Sequence, residues 1–260
     1  MIESLLAPAI AARPGQEAAR LVAVASGKGG VGKTWLSITL AHALSLAGAR
    51  VLLFDGDLGL ANVDVQMGLA TGRDIGPLLR GESPLERCVQ ATEPGFAVLA
   101  GRSGSGAFAA LPDATIDRLA ATLAEAHGYT HVLLDLGAGL DRTVRRMAAT
   151  AATLLVVTTD EPTALTDAYA ALKLASHDKP GGDRRIVVNL AASRAGGERT
   201  YATLAQACAK FLGSRPPLAG IIRRDPRVPD AIRRQTPLLT RHPHSEAASD
   251  VEALARALLS

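Results

Sequence analysis

Residues 26–34 read Ser26-Gly27-Lys28-Gly29-Gly30-Val31-Gly32-Lys33-Thr34, a glycine-rich run that contains two lysines. The run follows Leu21-Val22-Ala23-Val24-Ala25, which is apolar throughout, as buried parallel strands tend to be. It precedes residues 35–44, whose apolar positions recur at helical spacing. A strand, a glycine loop and a helix form the context that the phosphate-binding pattern G-x-x-x-x-G-K-[ST] requires. The sequence therefore predicts a nucleotide site here rather than a merely structural turn.

The chemistry of this loop follows from its residue types. Backbone N–H groups freed by the glycines would surround the phosphates, and the helix N-terminus would add its positive end. Lys33 would reach the β- and γ-phosphates, and the Thr34 hydroxyl would ligate Mg²⁺. The predicted nucleotide-binding residues of the loop are Gly27, Lys28, Gly29, Gly30, Val31, Gly32, Lys33 and Thr34.

Lys28 is the more specific signal in the loop. The chain has five lysines against 23 arginines, yet two of the five lie here. With the pattern K-G-G-x-G-K-T, the loop resembles that of the MinD/ParA group of ATPases. The resemblance implies that Lys28 reaches the nucleotide of a second subunit and so links ATP binding to dimerisation. The alternative is a solvated lysine beside an anion site.

Length and composition suit a single large α/β domain, and the resemblance implies a mostly parallel central sheet flanked by helices. The chain has 260 residues, of which 48% are apolar, enough for a substantial core. Residues 1–20 are expected to be a flexible leader and residues 21–260 the P-loop ATPase domain. No apolar run approaches eighteen residues, which predicts no membrane-spanning helix. Cys88 and Cys208 are isolated, as suits a reducing cytoplasm, and they form no C-x-x-C metal pair.

Carboxylates follow two apolar runs that we predict to be strands. Asp55 and Asp57 follow residues 50–54, and Asp135 follows residues 131–134 in the Walker B pattern. Because ligands of open α/β sheets bind at the carboxyl ends of the strands, these acids should face the phosphate loop. We expect Asp135 to bind Mg²⁺ through water. Acids in these positions could alternatively cap turns.

Two longer matches narrow the resemblance to flagellar-number regulators, the FlhG/FleN branch of the MinD/ParA group. They are D-x-D-L-G-L-A-N-V-D from Asp55 onward and E-P-T-x-L-T-D-A-Y from Glu161 onward. The resemblance implies that Asp57 positions the attacking water and that Asp55 holds a water on Mg²⁺. The expected catalytic residues are therefore Lys28, Lys33 and Asp57, and the expected metal site comprises Thr34, Asp55 and Asp135.

The sequence departs from the family pattern at two positions. Gly56 stands where the family usually has alanine, and Leu136 stands where it usually has threonine or serine. Residues 56–76 are the expected first switch region, and residues 136–139 the expected second switch near the γ-phosphate. Because Leu136 has no hydroxyl, the family pattern does not predict how the γ-phosphate is sensed here. The prediction of nucleotide binding does not depend on this residue.

The resemblance also assigns the base of the nucleotide. It gives Asn189 to adenine and places Asp225 in a second turn near the base. The guanine-reading motif N-K-x-D does not occur, which favours ATP over GTP. A structural role for a buried asparagine remains the alternative.

These features together predict a Mg²⁺-dependent ATPase that is a dimer with ATP and a monomer with ADP or without nucleotide. By resemblance, the other partners are a FlhF-like GTPase, flagellar C-ring proteins or a flagellar transcription regulator. Its expected place is the cytoplasm, including the periphery of the inner membrane or the cell pole. The last helix lacks the basic face of a membrane-targeting helix, and residues 15–21 do not match the motif D-Q-A-x-x-L-R that stimulates FlhF.

Two other functions stay open at this point. Residues 215–241 carry seven arginines against two aspartates, as a ParA-like partition ATPase that binds DNA non-specifically would need. The same arginines could also be spread over solvated faces. The other alternative is a non-catalytic scaffold that uses nucleotide only for its structure.

Overall fold

The computed structural model describes residues 18–57, 61–70, 72–101 and 111–260. Its centre is an eight-stranded sheet in the order β3-β4-β2-β5-β1-β6-β7-β8. Neighbouring strands are parallel except β3 and β4, which are antiparallel. The strands are β1 (Arg20–Ser26), β2 (Val51–Gly56), β3 (Gln90–Ala91), β4 (Ala97–Leu99), β5 (His131–Ala138), β6 (Thr153–Thr158), β7 (Asp183–Ala191) and β8 (Leu218–Arg223).

Helices cover both faces of this sheet and divide the core into two layers. Helices α1, α2, α9, α10 and α11 pack on one face, and α4 to α8 pack on the other. Helices on both faces explain why the central strands have continuous apolar runs instead of alternating ones. The helices are α1 (Lys33–Leu46), α2 (Val63–Met67), α3 (Gly76–Leu79), α4 (Leu85–Cys88), α5 (Asp113–Ala124), α6 (Arg142–Thr150), α7 (Pro162–Asp178), α8 (Arg194–Leu212), α9 (Arg227–Arg233), α10 (Leu238–Arg241) and α11 (Glu246–Leu259).

The strand order places the glycine loop near the middle of the sheet, at the end where the parallel strands have their carboxyl termini. β1 lies between β5 and β6, so the loop that follows β1 leaves the centre of the sheet. The carboxyl end of β5 lies directly beside it, and β2 is the next strand outward. The predicted fold class, a mostly parallel sheet flanked by helices, is confirmed.

Some element boundaries differ from the sequence predictions. β5 continues to Ala138, so residues 136–138 of the expected second switch belong to a strand. The expected first switch region contains the short helix α2 rather than loop alone.

Other expectations fall on residues that the structure does not describe. These are the leader from residue 1 to residue 17, and residues 58–60 and 71 of the first switch region. None of the described helices combines the length and the apolar character that crossing a bilayer requires.

Candidate functional site

The glycine loop is held tightly between α1 and α7. Gly32 has a φ of 85°, a left-handed conformation that glycine adopts without strain, and α1 begins at the next residue. At Gly27 the constraint is space, because a Cβ atom there would lie 2.3 Å from the backbone oxygen of Asp167 in α7. The loop can therefore approach α7 only with glycine at position 27.

We expect Gly27→Ala to destabilise the protein by about 1–3 kcal/mol, because the new methyl must push the loop away from the α7 backbone. The matched control is Gly29→Ala, since a Cβ there has only the Ala138 Cβ near it, at 3.8 Å. Thermal unfolding without nucleotide tests this difference. A melting temperature for Gly27→Ala equal to that of Gly29→Ala would contradict it.

Lys33 is buried beneath the loop, in a position from which its ammonium group can bind an anion. Its Nζ donates to Ser26 Oγ at 2.9 Å, and Ser26 Oγ donates to the backbone oxygen of Lys28 at 2.6 Å. Burial lowers the pKa of Lys33, while the charges of Asp135 and Asp57 oppose that shift. A cation desolvated in this way gains most from a phosphate group at the loop.

Asp135 lies at the carboxyl end of β5, next to the start of α1. Its Oδ1 accepts from the Ser37 hydroxyl at 2.9 Å, and its carboxylate also accepts from the Thr34 side chain. Burial raises the pKa of Asp135 to about 6, although both of these hydrogen bonds and the charge of Lys33 act to lower it. The strand β5 thus brings one predicted metal residue against another, Thr34.

Asp55 faces Asp135 across the ladder between β2 and β5. Its side chain accepts backbone N–H bonds from Asp57, Asn62 and Val63, at 3.2, 2.9 and 2.9 Å. Burial, reinforced by the charge of Asp135, raises the pKa of Asp55 to about 7 against these bonds. Asp55 therefore also fixes the start of α2, the capping role that we considered as an alternative.

This donor set fits Mg²⁺. The ion prefers oxygen ligands and keeps several waters, and a nearby divalent cation favours the ionised form of buried carboxylates. Within the described ranges, no group of three His, Cys, Asp or Glu side chains could hold a metal ion. Thr34, Asp55 and Asp135 would therefore hold Mg²⁺ together with water and phosphate oxygens, which is how nucleotide-bound Mg²⁺ is usually coordinated.

Asp57 follows β2 and lies against the segment that we expect to form the second switch, residues 136–139. A Cβ atom built on Gly137 would be 3.5 Å from both Cγ and Oδ1 of Asp57. Asp57 is close enough to Lys33 for its charge to affect the pKa of that lysine. The predicted water-positioning carboxylate is thus on the same edge of the sheet as Lys33 and Asp135.

Lys28 points away from its own phosphate loop. Its Nζ donates to Glu161 Oε2 at 2.6 Å and to Thr163 Oγ1 at 2.9 Å, at the start of α7. The Lys28 side chain is 37% exposed, and the hydrogen bond from Lys28 lowers the pKa of Glu161. The two lysines of one loop thus occupy different environments, with Lys33 buried and Lys28 at the surface.

Asn189 lies under the loop with one polar atom still available. Its Nδ2 donates to the backbone oxygen of Val31 at 2.8 Å, whereas its buried Oδ1 has no hydrogen-bond partner among the described residues. An unpaired buried acceptor suits a donor such as the amino group of adenine. Asp225 differs, because its oxygens accept from the backbone N–H groups of Arg227 at 2.9 Å and Ala247 at 3.4 Å. Asp225 thus joins the starts of α9 and α11.

Residues without a predicted role also belong to this site. Ser26 holds Lys33, Ser37 holds Asp135, and Glu161 and Thr163 hold Lys28. The spacing of Thr34 and Ser37, three residues apart on one helix, could have indicated that both hydroxyls face the same carboxylate. No local pattern indicates the contact of Lys28 with Glu161, because 133 residues separate them.

Comparisons with known proteins agree with this geometry. Residues 22–238 match the CobQ/CobB/MinD/ParA nucleotide-binding domain family. The chain is 34% identical to the antiactivator FleN of Pseudomonas aeruginosa, over 91% of this chain and 85% of FleN. It is also 34% identical to the flagellum site-determining protein YlxH of Helicobacter pylori, over 71% of this chain and 63% of YlxH.

Solved structures show the same fold. MinD of Pyrococcus horikoshii in complex with Mg-ADP superposes with a TM-score of 0.77 at 22% identity, covering 92% of this chain and 96% of that one. MinD in the MinC:MinD complex of Aquifex aeolicus gives a TM-score of 0.74 at 26% identity, covering 93% and 96%.

Proposed function

The chain belongs to the CobQ/CobB/MinD/ParA nucleotide-binding family, and from that premise we propose that it is an ATP-driven dimerisation switch regulating flagellar number or placement. As a member of this family it is a nucleotide-dependent regulator and an ATPase, and its cofactors are ATP and Mg²⁺. The flagellar assignment follows from the similarity to FleN and YlxH. Hydrolysis would then reset an assembly rather than make a product.

In this proposal, different residues of the chain bind the nucleotide, hold the metal ion and orient the attacking water. Lys33 and the loop amides bind the triphosphate, and Thr34, Asp55 and Asp135 hold Mg²⁺, which neutralises charge on the phosphates. Asp57 orients the attacking water from its place beside the second switch. Removing the γ-phosphate removes the contacts that order the two switches, which releases the dimer.

The position of Lys28 is the observation that carries the dimer proposal. A lysine serving its own phosphates would point into the loop, as Lys33 does. Lys28 instead lies at the surface, where it binds Glu161 and Thr163 at the start of α7. Its ammonium group is therefore accessible to a second subunit that approaches along this edge of the sheet.

The wild-type protein supplies the direct test of this function. We expect it to release phosphate from Mg·ATP slowly, and to run as a dimer with a non-hydrolysable ATP analogue and as a monomer with ADP. Size-exclusion chromatography with light scattering and a phosphate-release assay measure the two properties. A protein that binds Mg·ATP yet stays monomeric at all concentrations would overturn the switch. Absence of phosphate release would instead favour the non-catalytic scaffold.

The partners remain proposals beyond the dimer. By its similarity to FleN and YlxH, the chain would engage a FlhF-like GTPase, flagellar C-ring proteins or a flagellar transcription regulator. Each would bind one nucleotide state of the dimer in the cytoplasm or at the cell pole. Capture with the protein held in its ATP form, compared with its ADP form, would identify which of them binds.

A partition-type function has one supporting observation. In the arginine-rich segment, Arg223 and Arg241 are bound by Asp250 and Asp230. The other five arginines are exposed, namely Arg215, Arg224, Arg227, Arg233 and Arg234, although Arg227 also lies 3.8 Å from Asp225. ATP-dependent binding to random DNA, with a steep loss of affinity as salt rises, would favour this second candidate.

A further inference from the structure

The two departures of this sequence from its family pattern are neighbours in space. Gly56 and Leu136 are directly paired in the register between β2 and β5. The preceding pair in the same ladder is Asp55 and Asp135, the two predicted metal residues. Because side chains alternate along a strand, these acids face α1 while position 136 faces the opposite layer, with α5 and α6.

The leucine side chain fills the space that a larger residue at position 56 would need. A Cβ atom built on Gly56 would be 3.1 Å from Leu136 Cδ2 and 3.2 Å from Phe54 Cε1. It would also be 3.1 Å from the backbone oxygen of Asp135. Leu136 is only 1% exposed, so its side chain cannot turn outward into solvent to make room. Gly56 and Leu136 are therefore matched in size across the ladder.

The residues that follow Gly56 and Leu136 in the chain lie at the predicted catalytic site. Asp57 follows Gly56, and Gly137 follows Leu136. A Cβ atom on Gly137 would lie 3.5 Å from the Asp57 carboxylate carbon, so the two switches touch directly ahead of the matched pair. Any change in separation at the pair must be transmitted to this contact, because only one peptide unit separates them on each strand.

We propose that Gly56 and Leu136 are a size-matched positioning pair that sets the distance between Asp57 and the second switch. This inference rests on the proposed role of Asp57 in hydrolysis. Leu136 acts through packing, where a threonine or serine would offer a hydroxyl. A side chain at position 56 would be crowded by Leu136 and also by Phe54 and the backbone oxygen of Asp135, so glycine suits the space that these three residues leave.

Four proteins test the pair: wild type, Gly56→Ala, Leu136→Val and the double variant. Valine lacks the Cδ2 atom, which is the Leu136 atom that an alanine at position 56 would meet. We expect Gly56→Ala to lower kcat about tenfold while KM for ATP changes less than about threefold, since misplacement affects the chemical step more than binding. Leu136→Val alone should change kcat by about threefold or less. The double variant should recover at least about threefold of the kcat that Gly56→Ala loses, because the contact with Leu136 is relieved while those with Phe54 and the Asp135 backbone oxygen remain.

Additive effects of the two substitutions on kcat would overturn the inference, because coupled neighbours deviate from additivity. So would a double variant that recovers its melting temperature but not its kcat. If Gly56→Ala is too unstable to assay, the double variant is measured instead. A double variant that neither folds nor hydrolyses ATP would contradict the proposed pair. The control is Gly220→Ala on β8, where a Cβ would lie 3.6 Å from Leu254 Cβ and kcat should not change.

Asp57→Ala separates this inference from the function on which it rests. If Asp57→Ala hydrolyses ATP at the wild-type rate, the proposed role of Asp57 fails, and the positioning of Asp57 by the pair fails with it. If Asp57→Ala is inactive and Gly56→Ala turns over normally, only the positioning pair is wrong.

Discussion

Lys28→Ala is expected to remain monomeric in the presence of Mg·ATP, while its affinity for the nucleotide changes less than about threefold. In the single chain, Lys28 contacts Glu161 and Thr163 and not the residues that cradle the phosphates. Its removal should therefore leave its own loop intact. Exposed ion pairs contribute little to stability, so the contact with Glu161 would yield readily to a partner's triphosphate.

Light scattering on size-exclusion fractions measures the subunit state, and titration with a fluorescent ATP analogue measures binding. The matched control is Lys173→Ala, which removes another exposed lysine farther along α7 and should dimerise as wild type does. Glu161→Gln is a second test variant. It weakens the ion pair between Glu161 and Lys28, so dimerisation with ATP should be unchanged or favoured. A Lys28→Ala protein that dimerises with ATP would refute the role of this lysine.

The parts of the fold that the sequence predicted are those that local patterns determine. The apolar runs at β1, β2 and β5 indicated strands of the central sheet, and the structure has them. Lys33 and Asp135 follow from a motif and from a carboxylate at a strand end. In each case the physical requirement is contained within about ten consecutive residues.

What the sequence did not predict depends on contacts between distant segments. The start of α8 is an example, because Gly196 and Gly197 locally disfavour a helix. In the structure α8 begins at Arg194, after the N-cap Ser193, and a Cβ atom on Gly197 would lie 2.4 Å from Ile221 Cγ2. The glycine allows the helix to pack closely on β8, and this packing outweighs local propensity.

The same reason explains the two departures from the family pattern. In the sequence, Gly56 and Leu136 are two separate departures, a glycine in place of the usual alanine and a leucine in place of the usual threonine or serine. Their pairing depends on the register between β2 and β5, which residues 80 positions apart determine. A size match across a ladder has no signature in either strand alone.

Asp57→Ala is expected to lower kcat at least about a hundredfold and to accumulate the ATP-bound dimer, because positioned acids and bases commonly contribute 10²–10⁴-fold. Asp57 lies against the second switch and near Lys33, whereas the predicted metal residues Asp55 and Asp135 are held by other hydrogen bonds. Its loss should therefore spare Mg·ATP binding. Without hydrolysis the γ-phosphate stays in place, so the contacts that order the switches persist.

Single-turnover phosphate release and light scattering with ATP measure the two effects. The matched control is Asp117→Ala, an exposed aspartate on α5 that pairs with Arg146 and should leave both properties unchanged. The double variant Lys28→Ala/Asp57→Ala shows which step comes first. In our proposal Lys28 is needed to form the dimer, and hydrolysis then dissociates it. The double variant should bind ATP, fail to hydrolyse it and stay monomeric. If the double variant is instead a stable dimer, the two subunits associate without Lys28, and ATP occupancy controls assembly by another contact.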